Sequence, residues 1–279
     1  MEIIQKISIE TLQIVLLVFT MMVLVDLINV WTRGKIKVFL AKGKKYRQYI
    51  IASFIGSLPG CVGGFTNVSL YIHGIISFGA LTGALAAASG DEAFVMLAMF
   101  PKTAVFLIAL LMVLGVLVGF MVDKTIKKLK IKTCIDCEDQ QYHPNKKGVV
   151  HYLKEHIWGH IIKLHLWKTA LWTFGALFVV EIGLTYFNLQ SLSQEYPLTI
   201  LLIAALMGLI PESGPHMIFV SLFASGLIPF SVLFTSAFVQ DGHGMLPMLS
   251  YSVKDSIIIK SFNLIFGLSI GLIIYFIGY

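Results

Sequence analysis

Apolar residues run along this chain in blocks divided by short polar punctuation, and the blocks come in two sizes. Leu12 to Trp31 and Trp167 to Phe187 are long enough to cross a bilayer as single helices. Tyr49 to Leu58, Thr66 to His73, Ser77 to Ala88 and Asp91 to Phe100 hold only 8 to 12 residues each. As helix that is roughly 12 to 18 Å against a hydrocarbon core of about 30 Å, so each block spans only part of the bilayer. The first pair predicts a re-entrant hairpin with its tip at Pro59-Gly60-Cys61, and the second a spanning helix broken at Ser89-Gly90. Unpaired backbone at membrane depth is tolerated only where protein or a wet cavity supplies partners, so these breaks are expected to converge on one polar cavity near the midplane.

The same punctuation occurs twice. Displacing the chain on itself by 152 residues aligns Gly56–Phe120 with Gly208–Leu272 without a gap, and 15 of those 65 positions are identical. Chance in so apolar a composition gives about 5. The matches include Pro59 with Pro211, Gly74 with Gly226, Gly90 with Gly242, Lys102 with Lys254, Gly115 with Gly267 and Gly119 with Gly271. The second copy predicts a hairpin tipped by Pro211-Glu212-Ser213-Gly214-Pro215 and a helix broken at Gln240-Asp241-Gly242-His243-Gly244.

Composition narrows the class. With 279 residues, 57% hydrophobic and 13% charged, and a mean hydropathy of +0.84, too little polar surface remains to cover a soluble globule. A disordered chain, a disulfide scaffold and a nucleic-acid binder are excluded as well. Of the 21 Lys and Arg, 17 lie in two stretches, Arg33 to Arg47 and Lys124 to Lys168, which the positive-inside rule assigns to the cytoplasm. The basic balance therefore reports topology. Three cysteines give no disulfide framework and fit a reducing face. The first apolar run lacks a small-x-small cleavage pattern and is expected to be retained.

Asn188 to Glu195, which lacks Lys and Arg, falls outside after the span Trp167 to Phe187, and both termini are then expected outside a plasma membrane. One copy starts from the cytoplasm after Arg47 and the other from outside after Glu195, so the two are predicted to be inverted, as in secondary transporters. The expected architecture is an all-α polytopic membrane protein of about ten helical segments. Residues 1–123 form its first repeat, 124–165 a cytoplasmic basic Cys/His loop with an interfacial helix, and 166–279 the second repeat.

Asp26, Asp91, Glu92, Glu181, Glu212 and Asp241 sit within apolar segments, and the pattern places no Lys or Arg deep enough to neutralise them. A carboxylate in hydrocarbon costs at least about 2.5 kcal/mol and demands a partner or a proton. Asp91, Glu92, Glu212 and Asp241 stand at the breaks with His216, His243, Cys61, Ser89 and Ser213, so a bound cation is the expected partner. Oxygen and imidazole donors suit Mn²⁺, Zn²⁺, Fe²⁺ or Co²⁺, and a thiol biases the set to softer ions. The plainer reading of Asp91 and Glu212 is that they cap half-helix N-termini. Such N-termini also attract anions, although four acids at one place argue against an anionic cargo. Pro59, Gly60, Gly90, Pro211, Gly214, Pro215, Gly242 and Gly244 are the predicted structural breaks. Asp26 and Glu181, on the outer spans, are candidates for carrying a coupling proton.

The central loop holds Cys134 and Cys137, followed by His156 and His160 four apart on an amphipathic stretch. These could hold a cytoplasmic Zn²⁺, yet the spacing matches no closed four-ligand site, and a basic interfacial helix with Trp158 and Trp167 at the headgroups is the preferred reading.

Gly56-Ser-Leu-Pro-Gly-Cys61, Ser89-Gly-Asp-Glu-Ala-Phe94, Gly208-Leu-Ile-Pro-Glu-Ser-Gly-Pro-His216 and Val239-Gln-Asp-Gly-His-Gly-Met-Leu-Pro247 resemble the bacterial and archaeal family of ten-helix heavy-metal exporters. Its members also carry the labels manganese transporter and arsenic efflux protein. The resemblance runs from Asp26-Leu-Ile-Asn-Val30 onward and implies a multi-pass plasma-membrane exporter. Other members place Asn-Cys or Gln-Cys after the hairpin prolines. Here Pro59 precedes Gly-Cys and Pro211 precedes Glu-Ser, which removes one thiol and disfavours a soft arsenic(III) cargo.

The sequence thus predicts a non-enzymatic secondary transporter that exports a divalent transition-metal cation, Mn²⁺ first, by alternating access. The cation is cargo rather than cofactor, the lipid bilayer is the other partner, and a homodimer is left open. The competing readings are a permease for an anionic or arsenical substrate and a membrane-embedded metal-dependent enzyme. No P-loop is present, so ATP is not a direct energy source.

Overall fold

The computed structural model describes residues 45–133 and 197–278, apart from Ser213, together with scattered positions within 4–23 and 158–178. Asp26, Glu181, Ser213, Cys134, Cys137, His156 and His160 lie outside the described residues. All regular structure among the described residues is helical. In chain order the helices are α1 (Tyr46–Gly56), α2 (Val62–Ile72), α3 (Phe78–Ala86), α4 (Glu92–Met99), α5 (Pro101–Leu129), α6 (Pro197–Met207), α7 (Gly214–Ala224), α8 (Phe230–Val239), α9 (Met245–Tyr251) and α10 (Val253–Ile277), with a 3-10 turn over Gly242–Gly244.

Only α5 and α10, at 29 and 25 residues, are long and apolar enough among these to cross a membrane alone. The others hold 7 to 11 residues. The boundaries follow local chemistry: the Ser77 hydroxyl accepts from Ala80 N to start α3, Pro101 opens α5, and Ser252 caps α10 through Asp255 N. The second arm of the first hairpin starts at Val62 rather than at the expected Thr66. Gly63 and Gly64 look like loop residues, but in the fold they are close-approach points, Gly63 against the Ile55 carbonyl of α1 and Gly64 against the Gly244 backbone.

Displaced by 152 residues, α2 superposes on the bounds of α7, and the other four helices of the first set start within one residue of their counterparts. The packing repeats too. α3 lies wholly buried against α1, α2 and α5, and α8 is buried from its second residue on against α6, α7 and α10. Helices apolar all round belong in the interior, and these two form it. Their contact with the long helices runs through small residues: Gly79 and Gly83 of α3 meet Gly119 and Gly115 of α5, while Thr235 of α8 meets Gly271 of α10. At the centre Gln240 Nε2 donates to the Ala88 carbonyl at 3.3 Å, a contact between positions that are themselves 152 apart.

The breaks are built on left-handed backbone. Gly90 and Gly242, which correspond in the two copies, have φ of +54° and +51°, a region that L side chains adopt at a cost of about 1–2 kcal/mol. Gly242→Ala is therefore expected to destabilise the protein by about 1–2 kcal/mol. Thermal unfolding in detergent checks this, and a variant as stable as the parent would contradict it.

Candidate metal site

Four of the expected residues are drawn together from both halves of the chain. The Cys61 thiol ends the 57–61 turn at the tip of the first hairpin, Asp91 stands at the head of α4, and His243 rides on the 3-10 turn of the second break. Cys61 Sγ lies 3.2 Å from Asp91 Oδ2 and 3.2 Å from His243 Nδ1, with the latter nitrogen 3.7 Å from Asp91 Oδ2. One ligand atom from each of the three falls within 4.8 Å of the others. On the far side of the imidazole, Nε2 faces Glu212 Oε1 at 3.4 Å, close enough for a charge interaction but short of a formed hydrogen bond.

Local backbone makes this convergence possible. Gly60, at φ +92°, donates its N–H to the Gly90 carbonyl at 2.9 Å, tying the hairpin tip to the first break. Gly64 and Gly244 pack backbone on backbone, which lets the second break reach the first hairpin. Pro59 and Pro211 lie in non-helical connections, while Gly214 and Pro215 open α7. Pro is tolerated in that first turn because its missing N–H would have had no helical partner.

The structure decides between two readings of Asp91. It sits at the N-cap of α4, yet its side chain makes no capping hydrogen bond and is turned instead to Cys61 and His243. The side chain is 47% exposed, whereas those of Glu212 and His243 are each 10% exposed, so the cluster is reachable at its Asp91 side. Glu92, next in sequence, is fully buried and close enough to Asp91 and Glu212 to interact electrostatically; its Oε2 has no hydrogen-bond partner among the described residues. Ser89 is buried with its hydroxyl likewise without a partner among the described residues.

Two expected ligands stand apart. Asp241 is 2% exposed, and its carboxylate is taken up on both sides: Oδ2 pairs with Lys260 Nζ at 2.6 Å and Oδ1 accepts from Asn263 Nδ2 at 2.8 Å. This corrects the expectation that no base lies deep enough to neutralise the buried acids. The signal for it was present in the sequence as a lysine within an apolar run, three residues before an asparagine and so on the same helix face. His216, also fully buried, points Nδ1 at the Ser236 hydroxyl at 2.9 Å, while its Nε2 has no hydrogen-bond partner among the described residues.

The three clustered side chains offer one sulfur, one nitrogen and carboxylate oxygen, a mixed donor set of the kind that holds borderline transition-metal ions. An imidazole presents only one nitrogen to a given ion, so a metal held by Nδ1 beside Cys61 and Asp91 leaves Nε2 facing Glu212. Metal-bound histidines commonly direct their second nitrogen at a carboxylate, which fixes tautomer and ring orientation.

No curated protein and no solved structure matches the chain. A family model does, over residues 3–177 and 166–278, so it covers both halves and every residue of the cluster. With its helical, half-length segments and two long apolar helices, the chain is a multi-pass membrane protein and belongs to the family described as "Putative, 10TM heavy-metal exporter".

Proposed function

We propose that the protein exports a divalent transition-metal ion by alternating access, and that Cys61, Asp91 and His243 Nδ1 hold the ion while Glu212 orients the imidazole. The observation that carries this reading is the meeting of thiol, carboxylate and imidazole from three separate breaks within 4.8 Å. Glu92 adds negative potential at the same place and is available as a further oxygen donor or a proton acceptor. The cluster is acidic and the buried base Lys260 is held by Asp241, which favours a cation over an anionic cargo.

The repeat supports the transport mechanism. Corresponding positions Ala88 and Gln240 touch, as residues near an axis relating two halves do. The charged loops argue that the axis lies in the membrane plane, giving inverted halves, both termini outside and residues 33–47 and 124–165 in the cytoplasm of a plasma-membrane protein. Cys61 and Asp91 belong to the first half and His243 to the second. Rocking one half against the other would therefore separate the donors and release the ion, so the cargo is bound only while the halves are closed on it. No resident cofactor is required, and the protein acts as a transporter rather than an enzyme.

Sequence patterning puts Mn²⁺ first among cargoes. The thiol in the middle of the cluster moves the proposal toward softer ions, with Zn²⁺ ahead of Co²⁺, Fe²⁺ and Mn²⁺. Cys61→Ser is then expected to weaken Zn²⁺ binding by about 10- to 100-fold while changing Mn²⁺ binding little, read by competition against a chelating dye on the purified protein. Oxyanion binding that survives Cys61→Ser and Asp91→Asn would support the anion permease instead.

A further inference from the structure

The second half holds a buried charge arrangement that the first half lacks and the metal cluster does not use. Lys260, seven residues into the apolar α10, brings its ammonium to three oxygens: the Gly208 carbonyl at 2.6 Å, Asp241 Oδ2 at 2.6 Å and the Val239 carbonyl at 3.5 Å. Gly208 and Val239 stand where α6 and α8 end, so both carbonyls carry the negative end of a helix dipole. The corresponding positions of the first half are Ile108 for Lys260, Ser89 for Asp241 and Leu111 for Asn263, none of them charged.

Unwound backbone carbonyls and half-helix C-terminal ends coordinate the coupling Na⁺ in inverted-repeat transporters, and here a carboxylate joins them. Here all three donors converge on an ammonium of the chain itself. A cavity of about 350 Å³, lined mainly by apolar side chains such as Leu209, Pro211, Met245 and Ile257 with Ser256 among them, reaches Lys260. We infer that Gly208 O, Val239 O and Asp241 form a monovalent-cation site of the alkali type, which Lys260 fills as a tethered cation, so that the second half closes without recruiting Na⁺ from solution.

The inference predicts what deletion of the tether reveals. In Lys260→Ala the carboxylate and the two carbonyls face a void open to the cavity, and Na⁺ should enter it. Purified full-length protein in detergent is unfolded thermally in NaCl and in choline chloride at equal ionic strength. The variant is expected to be stabilised by Na⁺ with a midpoint shift of about 5 °C, the parent to be indifferent, and Lys260→Ala/Asp241→Asn to lose most of the response. Methylammonium should substitute for Na⁺ in the single variant, since it restores the missing ammonium. If Lys260→Ala folds too poorly to purify in choline, purification in Na⁺ or methylammonium is expected to recover it. Failure to recover it in either, or a variant as blind to Na⁺ as the parent, overturns the inference. Neither probe nor readout involves a transition metal, so the result is independent of the proposed cargo.

Discussion

His243→Ala is expected to weaken Zn²⁺ binding by at least about 100-fold and to abolish efflux, whereas Glu212→Gln is expected to weaken binding by about 10- to 100-fold and leave one ion per protein. The difference follows from the two faces of one ring. Nδ1 lies 3.2 Å from Cys61 Sγ and is the only imidazole nitrogen among the described residues near both Cys61 and Asp91. Removing it leaves two donors, both from the first half of the chain, and nothing from the second half on the ion. Alternating access then loses its grip on the cargo as well as its affinity. Glu212 lies 3.4 Å from the other nitrogen, and the amide of Gln can still stand opposite it, so the ring keeps its orientation without the carboxylate's charge. Dye competition gives the affinities and uptake into everted vesicles gives transport. Wild-type affinity in His243→Ala would remove the imidazole from the site, and equal losses in the two variants would make Glu212 a ligand in its own right.

Much of the fold is written in the sequence because half-length helices need conspicuous stops. The breaks at Pro59-Gly60, Ser89-Gly90 and Gln240-Asp241-Gly242 fall where proline, left-handed glycine and polar runs put them, and the 152-residue offset extends to the helix bounds. The start of α2 was less legible. Gly63 and Gly64 weaken a helix locally, and only the approach of Ile55 and Gly244 shows why that turn must be bare. The site divides the same way. That Cys61, Asp91, Glu212 and His243 gather could be expected from acids and donors at breaks. How they pair is a matter of tertiary geometry, since nothing in Gln-Asp-Gly-His says that the aspartate turns to α10 and the histidine, two residues later, to the first hairpin. The 3-10 turn separates them, directing neighbouring side chains to different partners.

The same division makes Lys260 the position whose loss should be felt most in stability. Lys260→Met keeps most of the stem's volume and apolar contact but leaves the Asp241 carboxylate, 2% exposed, with Asn263 as its one remaining side-chain partner among the described residues. Stripping one partner from a buried ion pair costs about 3–5 kcal/mol, because the remaining charge is uncompensated. At roughly 2–4 °C per kcal/mol for a chain near this size, the expected fall in the unfolding midpoint is about 10 °C. Asp241→Asn should cost less, since the ammonium still meets the Gly208 and Val239 carbonyls and disperses its charge into two helix ends. The double variant Lys260→Met/Asp241→Asn is expected to regain about half of the loss, which corresponds to a coupling of about 3 kcal/mol if Asp241→Asn alone costs about 1 kcal/mol. The first half already packs Ile108 and Ser89 at these two positions and shows that the architecture closes there without charge. The measurement belongs in sodium-free buffer, where an ion from solution cannot take the place of the deleted ammonium. Additive losses in the double variant would mean that lysine and aspartate do not act as a unit.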